Sequence, residues 1–105
     1  MIFLQNMAKK IQEYTIKWTP KALDTFEAIA LQLIERWNIE TAISFDEKTQ
    51  VVITQLKNNP KIYQTSKKHK LHRCVIHKNV SLIYRINKNC VELIVFVDNR
   101  DDHGF

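Results

Sequence analysis

The chain has 105 residues, 45% of them apolar, with one Gly and two Pro, which is enough for one compact core and too little for two. Lys and Arg outnumber Asp and Glu by 16 to 11, and the excess is regional. Ten of the cations and no carboxylate fall between Lys48 and Val91, whereas seven acids precede that stretch and four follow it. The longest apolar run, Leu93 to Val97, is far below the roughly 20 residues that span a bilayer, and no secretory pattern opens the chain. A soluble, cytoplasmic protein with no membrane partner is expected.

Residues 1–12 read as a flexible N-terminal extension, with Met7 as an alternative start, ahead of a single domain over 13–105. Tyr14, Ile16 and Trp18 alternate with polar residues and predict a short strand with one buried face. Thr19 and Pro20 then supply an N-cap and a favoured first helical residue, and Leu23, Phe26, Ala30, Leu33 and Trp37 recur at helical spacing. Asn38 is placed to cap a second helix, in which Ala42, Phe45, Thr49, Val52 and Leu56 form one stripe. So short a junction predicts an antiparallel helical hairpin. Trp18 and Trp37 both fall on the predicted apolar faces and read as core, not as a platform for stacking bases.

Asn58, Asn59 and Pro60 end the second helix, and Lys61 to Lys70 is a polar connection. From Leu71 the apolar period falls to two, with turns at Lys78-Asn79 and Lys88-Asn89, so three antiparallel strands follow. The fold class is α+β: an N-terminal strand, a helical hairpin and a three-stranded meander, with the helices on one face of the sheet. Two-residue turns set Arg73 opposite Tyr84 and Tyr84 opposite Leu93. Leu71, Val75, Val80, Leu82, Ile86, Val91, Val95 and Val97 join these on the face toward the helices. The other face then holds His72, Cys74, Ile76, Ser81, Ile83, Arg85, Glu92, Ile94 and Phe96, a mixed surface that calls for a partner or for shelter from the connection and tail.

Lys48, Lys57, Lys61, Lys67, Lys68, Lys70, Arg73, Lys78, Arg85 and Lys88 form an acid-free set, and a positive lobe suited to nucleic acid or an acidic protein segment is expected. The alternative is a solvated cationic surface. His69, His72, Cys74 and His77 match no zinc spacing; neither a metal nor a cofactor is expected, and Cys74 and Cys90 read as reduced, packed thiols.

The order of elements, with Trp18-Thr19-Pro20-Lys21-Ala22, Leu56-Lys57-Asn58-Asn59-Pro60, Leu71-His72-Arg73, Ser81 to Ile86 and Phe96 to Asp102, resembles the RelE/ParE superfamily of bacterial toxins, closer to its ParE-like branch. The resemblance covers nearly the whole chain from Tyr14 to Asp102. It implies a growth inhibitor neutralised by a cognate antitoxin, whose extended segment would lie over the sheet face. Lys67, Lys68, Lys70, His72, Arg73, Arg85, Phe96 and Arg100 are the residues expected to bind target or antitoxin.

The superfamily holds two activities. ParE-like members bind and poison DNA gyrase, whereas RelE-like members cut messenger RNA on the ribosome. A ribonuclease acting through the 2'-hydroxyl needs a base, cations at the phosphate and an acid for the leaving oxygen. Arg73, Arg85 and Arg100 would then clamp phosphate, and His72 or His103 would move protons. Set against this, Val80 and Ser81 stand where such enzymes tend to carry Arg, and the chain ends Asp102-His103-Gly104-Phe105 without a Tyr. Tyr84 and Arg85 also have structural readings, in the core and as the cross-strand partner of Glu92. A third reading is a non-toxic module that binds nucleic acid or antitoxin.

Overall fold

The computed structural model describes residues 13–66 and 70–99. The predicted extension over 1–12 and the candidates Lys67, Lys68, Arg100 and His103 lie outside them. The elements run β1 (Thr15–Trp18), α1 (Pro20–Arg36), α2 (Ile39–Asn58), a single 3-10 turn (Pro60–Ile62), β2 (Gln64–Thr65), β3 (His72–His77), β4 (Val80–Asn87) and β5 (Cys90–Asp98). They build one five-stranded sheet in the order β1-β5-β4-β3-β2. β1 runs parallel to β5, and the remaining pairs are antiparallel. Both helices cover one face, α1 over β5 and α2 over β3 and β1.

The strand-to-helix corner forms as the sequence dictates. Thr19 is extended, and its Oγ1 accepts from Ala22 N at 3.1 Å, which satisfies one of the amides a helix start leaves without a partner. The same hydroxyl donates to Leu93 O at 2.7 Å, so the cap also fastens α1 to β5. Asn38 repeats the device for α2, accepting from Thr41 N at 2.9 Å. In α2 the predicted stripe is the buried one: Ala42, Phe45, Thr49, Val52 and Leu56 are all buried. In α1 it is rotated. Ala22 and Ile29 are buried with Phe26 and Leu33 beside them, while Leu23 is exposed and Trp37 is 72% exposed. Trp37 is therefore not core: it is the C-cap, past the last helical turn. Trp18 does pack, stacked on Phe96 at 5.7 Å and edge-on to Phe26 at 5.5 Å, with Phe45 completing the cluster.

Both predicted turns are present, and Lys88 takes φ 57°, the positive value that a primed hairpin turn requires at its first central residue. Each hairpin nevertheless carries a bulge. His77 pairs with Val80, but Val75 pairs with Ser81, leaving Ile76 as the extra residue. Tyr84 pairs with Leu93 as expected, but Ile83 pairs with Val95, leaving Ile94 extra. Because side chains alternate with period two, one extra residue exchanges the faces of everything beyond it. Arg73 therefore faces Ile83, not Tyr84, and His72, Cys74, Ile76 and Phe96 enter the helix-side core with Leu82, Tyr84, Val91 and Leu93. Arg73 and Val75, predicted to be core, lie on the outer face.

The helices supply the hydrogen bonds that the β5 bulge disturbs. Thr19 Oγ1 reaches Ile94 O at 3.1 Å, and Thr25 Oγ1 accepts from Phe96 N at 3.0 Å. Backbone groups freed from the ladder inside a core need such partners. The Lys61 to Lys70 connection is more structured than a polar loop, since Gln64 and Thr65 pair with Arg73 and His72.

Candidate functional site

The described members of the acid-free set are exposed, except for half-buried Arg73. They do not form one lobe. Lys78 and Lys88 occupy turns at opposite ends of β4, and its eight residues set them roughly 25 Å apart, well beyond the ~8–10 Å over which exposed charges act at ordinary salt. The positive surface is thus divided between two ends of the sheet.

Arg85 carries the ion pair expected of it. Its Nε donates to Glu92 Oε1 at 2.9 Å, and Nη2 lies 2.9 Å from the same oxygen. Arg73 is held by the end of β5: Nη2 donates to Asn99 Oδ1 at 2.6 Å, Nε donates to Ser81 Oγ at 3.3 Å, and Ser81 Oγ donates to Asn99 Oδ1 at 2.7 Å. Both guanidiniums stand on the face away from the helices.

His72 stands on the opposite face. It is buried, stacked on Tyr84 with centroids 4.9 Å apart, and its Nδ1 lies 3.0 Å from Thr65 Oγ1 and 3.2 Å from Tyr63 O. The sheet itself separates this imidazole from Arg73 and Arg85. Phe96 is likewise buried within the aromatic cluster, so it presents no surface to a partner. Lys70 is exposed in a left-handed conformation, φ 55°, in the loop closed by Ser66 N donating to Leu71 O.

Burial favours the protonated forms of the ionisable groups around His72. Burial raises the Tyr84 hydroxyl above its ordinary range, and that hydroxyl donates to Pro60 O at 2.6 Å, not toward Arg73. Burial, then the neighbouring Cys74, pushes Tyr63 up to about 12, and burial also raises the Cys74 thiol. A thiol held protonated is a poor nucleophile. His77 moves the other way, lowered by partial burial and then by Lys48, whose Nζ lies 3.4 Å from its Nδ1. Among the described residues no His, Cys, Asp and Glu cluster is placed to hold a metal ion, and no helix is long and apolar enough to cross a membrane.

Sequence reasoning missed a cavity of about 300 Å³ between the hairpin junction and the β3–β4 turn, lined by Leu33, Arg36, Trp37, His77, Lys78 and Asp98 among others. The signal for it was the apolar residues on either side of Asn38, which no single helical stripe accounts for.

A strand, a helical hairpin and a bulged meander closing onto the first strand define the toxin fold of the RelE/ParE superfamily, and known structures share it. The chromosomal ParDE system of Pseudomonas aeruginosa aligns with a TM-score of 0.69 at 15% identity, over 82% of this chain and 96% of that one. The YoeB/ParE toxin of Agrobacterium tumefaciens gives 0.59 at 17% identity, over 80% and 97%. The RelBE2 toxin–antitoxin complex of Mycobacterium tuberculosis gives 0.57 at 14%, over 87% and 97%. No curated protein is significantly similar in sequence. The family model for the ParE toxin of the type II toxin–antitoxin system parDE matches residues 16–103, and the chain belongs to that family.

Proposed function

We propose that this toxin acts in the cytoplasm as a ParE-like poison that docks on DNA gyrase and is restrained by a cognate antitoxin, without itself cutting RNA. The observation that supports this reading is the division made by the sheet. Arg73 and Arg85 lie on the outer face, already engaged with Asn99 and Glu92, while His72 is buried on the helix face. Phosphate clamps and a proton carrier must converge on one phosphodiester to catalyse its cleavage, and among the described residues Arg73, Arg85 and His72 do not. The antitoxin we propose supplies an acidic, extended segment, for which the outer face offers exposed Val75 near the cationic turn at Lys78.

The test is induction of the chain alone in a bacterial host, with parallel pulse-labelling of new DNA and new protein. DNA synthesis is expected to fall first, and the purified protein is expected to inhibit supercoiling by gyrase. Early loss of protein synthesis with cleaved messenger would instead establish the ribosome-dependent ribonuclease, the activity of the other branch. Absence of arrest would leave a non-toxic antitoxin-binding module.

A further inference from the structure

The cavity between the hairpin junction and the β3–β4 turn has no part in the poisoning assigned above, and its lining differs in charge from the helices that border it. From Asp24 to Glu47 the sequence carries six carboxylates and one cation, Arg36. That one cation lines the cavity, and the turn brings Lys78 to the same wall. Neither makes an ion pair with a described carboxylate. Arg36 belongs to the last turn of α1, where the helix dipole favours a cation, but no described group takes up the donors of its guanidinium.

Half-buried His77 adds a third donor. Its Nδ1 lies 3.4 Å from Lys48 Nζ, and burial, then that ammonium, keeps its pKa below the ordinary value. A neutral ring that accepts at Nδ1 carries its proton on Nε2, which leaves an N–H for a ligand oxygen. Leu33 and Val80 give the cavity an apolar side, and the largely exposed indole of Trp37 forms part of its wall. The turn is pinned from below, because Asn99 N donates to Asn79 O and Val80 pairs with Asp98. The wall is thus formed before any ligand arrives, and a volume of about 300 Å³ stands at the small end of the ~300–1,000 Å³ range of ligand pockets.

We propose that this cavity binds a nucleoside monophosphate, with the phosphate held by Arg36, Lys78 and His77 and the base laid against Trp37. Two cations and an imidazole N–H suit one phosphate group, for which a guanidinium offers paired donors. An inorganic anion would leave the indole and the apolar side unused, and an uncharged ring would leave both cations without a counter-charge. Asp98, which also lines the cavity, suits the hydroxyls of a sugar, as acidic residues do in dinucleotide sites, and opposes further phosphates. The carboxylates of the hairpin, all exposed, likewise disfavour a nucleic-acid strand running across the opening. Because its wall comes from both the end of α1 and the β3–β4 turn, a bound ligand would fasten the helices to the meander and stabilise the folded chain by mass action.

The experiment titrates the full chain with AMP and GMP, and with adenosine and inorganic phosphate, following Trp emission and the melting temperature. At least one mononucleotide is expected to quench emission saturably and raise the melting temperature, with adenosine and phosphate each about tenfold weaker or more. The quench should disappear in Trp37→Phe, since Trp18 is already packed. An Arg36→Gln, Lys78→Gln double variant with unchanged circular dichroism is expected to lose about tenfold or more in affinity, whereas Lys88→Gln, at the other end of β4, should bind as the parent does. No saturable binding of either mononucleotide at about 1 mM, phosphate alone binding as tightly, parental affinity in the double variant, or an equal loss in Lys88→Gln would each overturn the proposal. The titration uses neither gyrase nor antitoxin, so its failure is separable from failure of the pulse-labelling test.

Discussion

The helical hairpin and the meander are built on opposite plans. The hairpin carries its carboxylates between Asp24 and Glu47 and leaves large apolar side chains in solvent. The meander carries cations without a single acid until Glu92 and sends most of its large apolar residues into the core. The two plans meet at the helix–sheet interface, where Phe26 and Phe45 from the helices pack with Trp18 and Phe96 from the strands. Stability should therefore concentrate at that interface, and binding on the surfaces that face away from it.

Replacing Phe96 by Ala is the severest way to break this division. The residue is 2% exposed and touches Trp18, Phe26 and Phe45, so a loss of about 3–5 kcal/mol is expected, measured by urea unfolding. A loss below about 1 kcal/mol would mean that the two halves are held together elsewhere. Tyr84→Phe should cost less, about 1–3 kcal/mol, because it strands the buried Pro60 carbonyl that the hydroxyl satisfies. If the variant is as stable as the parent, the 3-10 turn that follows α2 is not fastened to β4 by that bond.

The junction of the two plans also titrates. His77, on β3, lies beside Lys48, on α2, and its folded pKa is below the ordinary 6.5. The folded state then takes up its proton later than the unfolded state. Its contribution to stability should be complete above pH 6.5 and decline as pH falls through 6.5 toward the folded value, levelling off below it. Its exposure keeps the effect modest. An NMR titration should place the His77 midpoint below 6.5, and Lys48→Met should move it upward; a midpoint unmoved by Lys48→Met would remove the charge of α2 from the account. The smallest stability effect belongs to Trp37→Ser, expected within about 0.5 kcal/mol of the parent, since the side chain is 72% exposed. A larger loss would assign Trp37 to the fold.

The candidate site shows how differently the two halves could be read. In α2 the 3.6 period put the right five residues in the core, because helix phase follows from the sequence once the helix is started by its cap. In α1 the same reading was off by part of a turn. Leu23 and Trp37 are as apolar as the residues that do pack, and only the position of β5 beneath the helix decides between them. In the meander, strand positions and both turns were legible, while the faces of β3 and of the end of β5 were not. Ile76 and Ile94 carry no mark that distinguishes a bulged residue from a ladder residue. That is why His72 and Phe96 read as surface candidates and Arg73 as core. Arg85 was legible because its partner Glu92 lies on the unshifted side of the bulge.

By itself the sequence determined the order of the elements, the caps at Thr19 and Asn38, the hairpin turns, the packed stripe of α2 and the segregation of charge. These are local or periodic properties, fixed by backbone sterics and side-chain chemistry within a few residues. Only the tertiary structure decided the two bulges and the parallel pairing of β1 with β5. It also decided which apolar residues of α1 stay outside and on which side of the sheet each Arg and His stands. Each of these depends on atoms far apart in sequence: the β5 bulge is accommodated by Thr19 and Thr25, more than 70 residues away, and no local pattern encodes where such partners arrive.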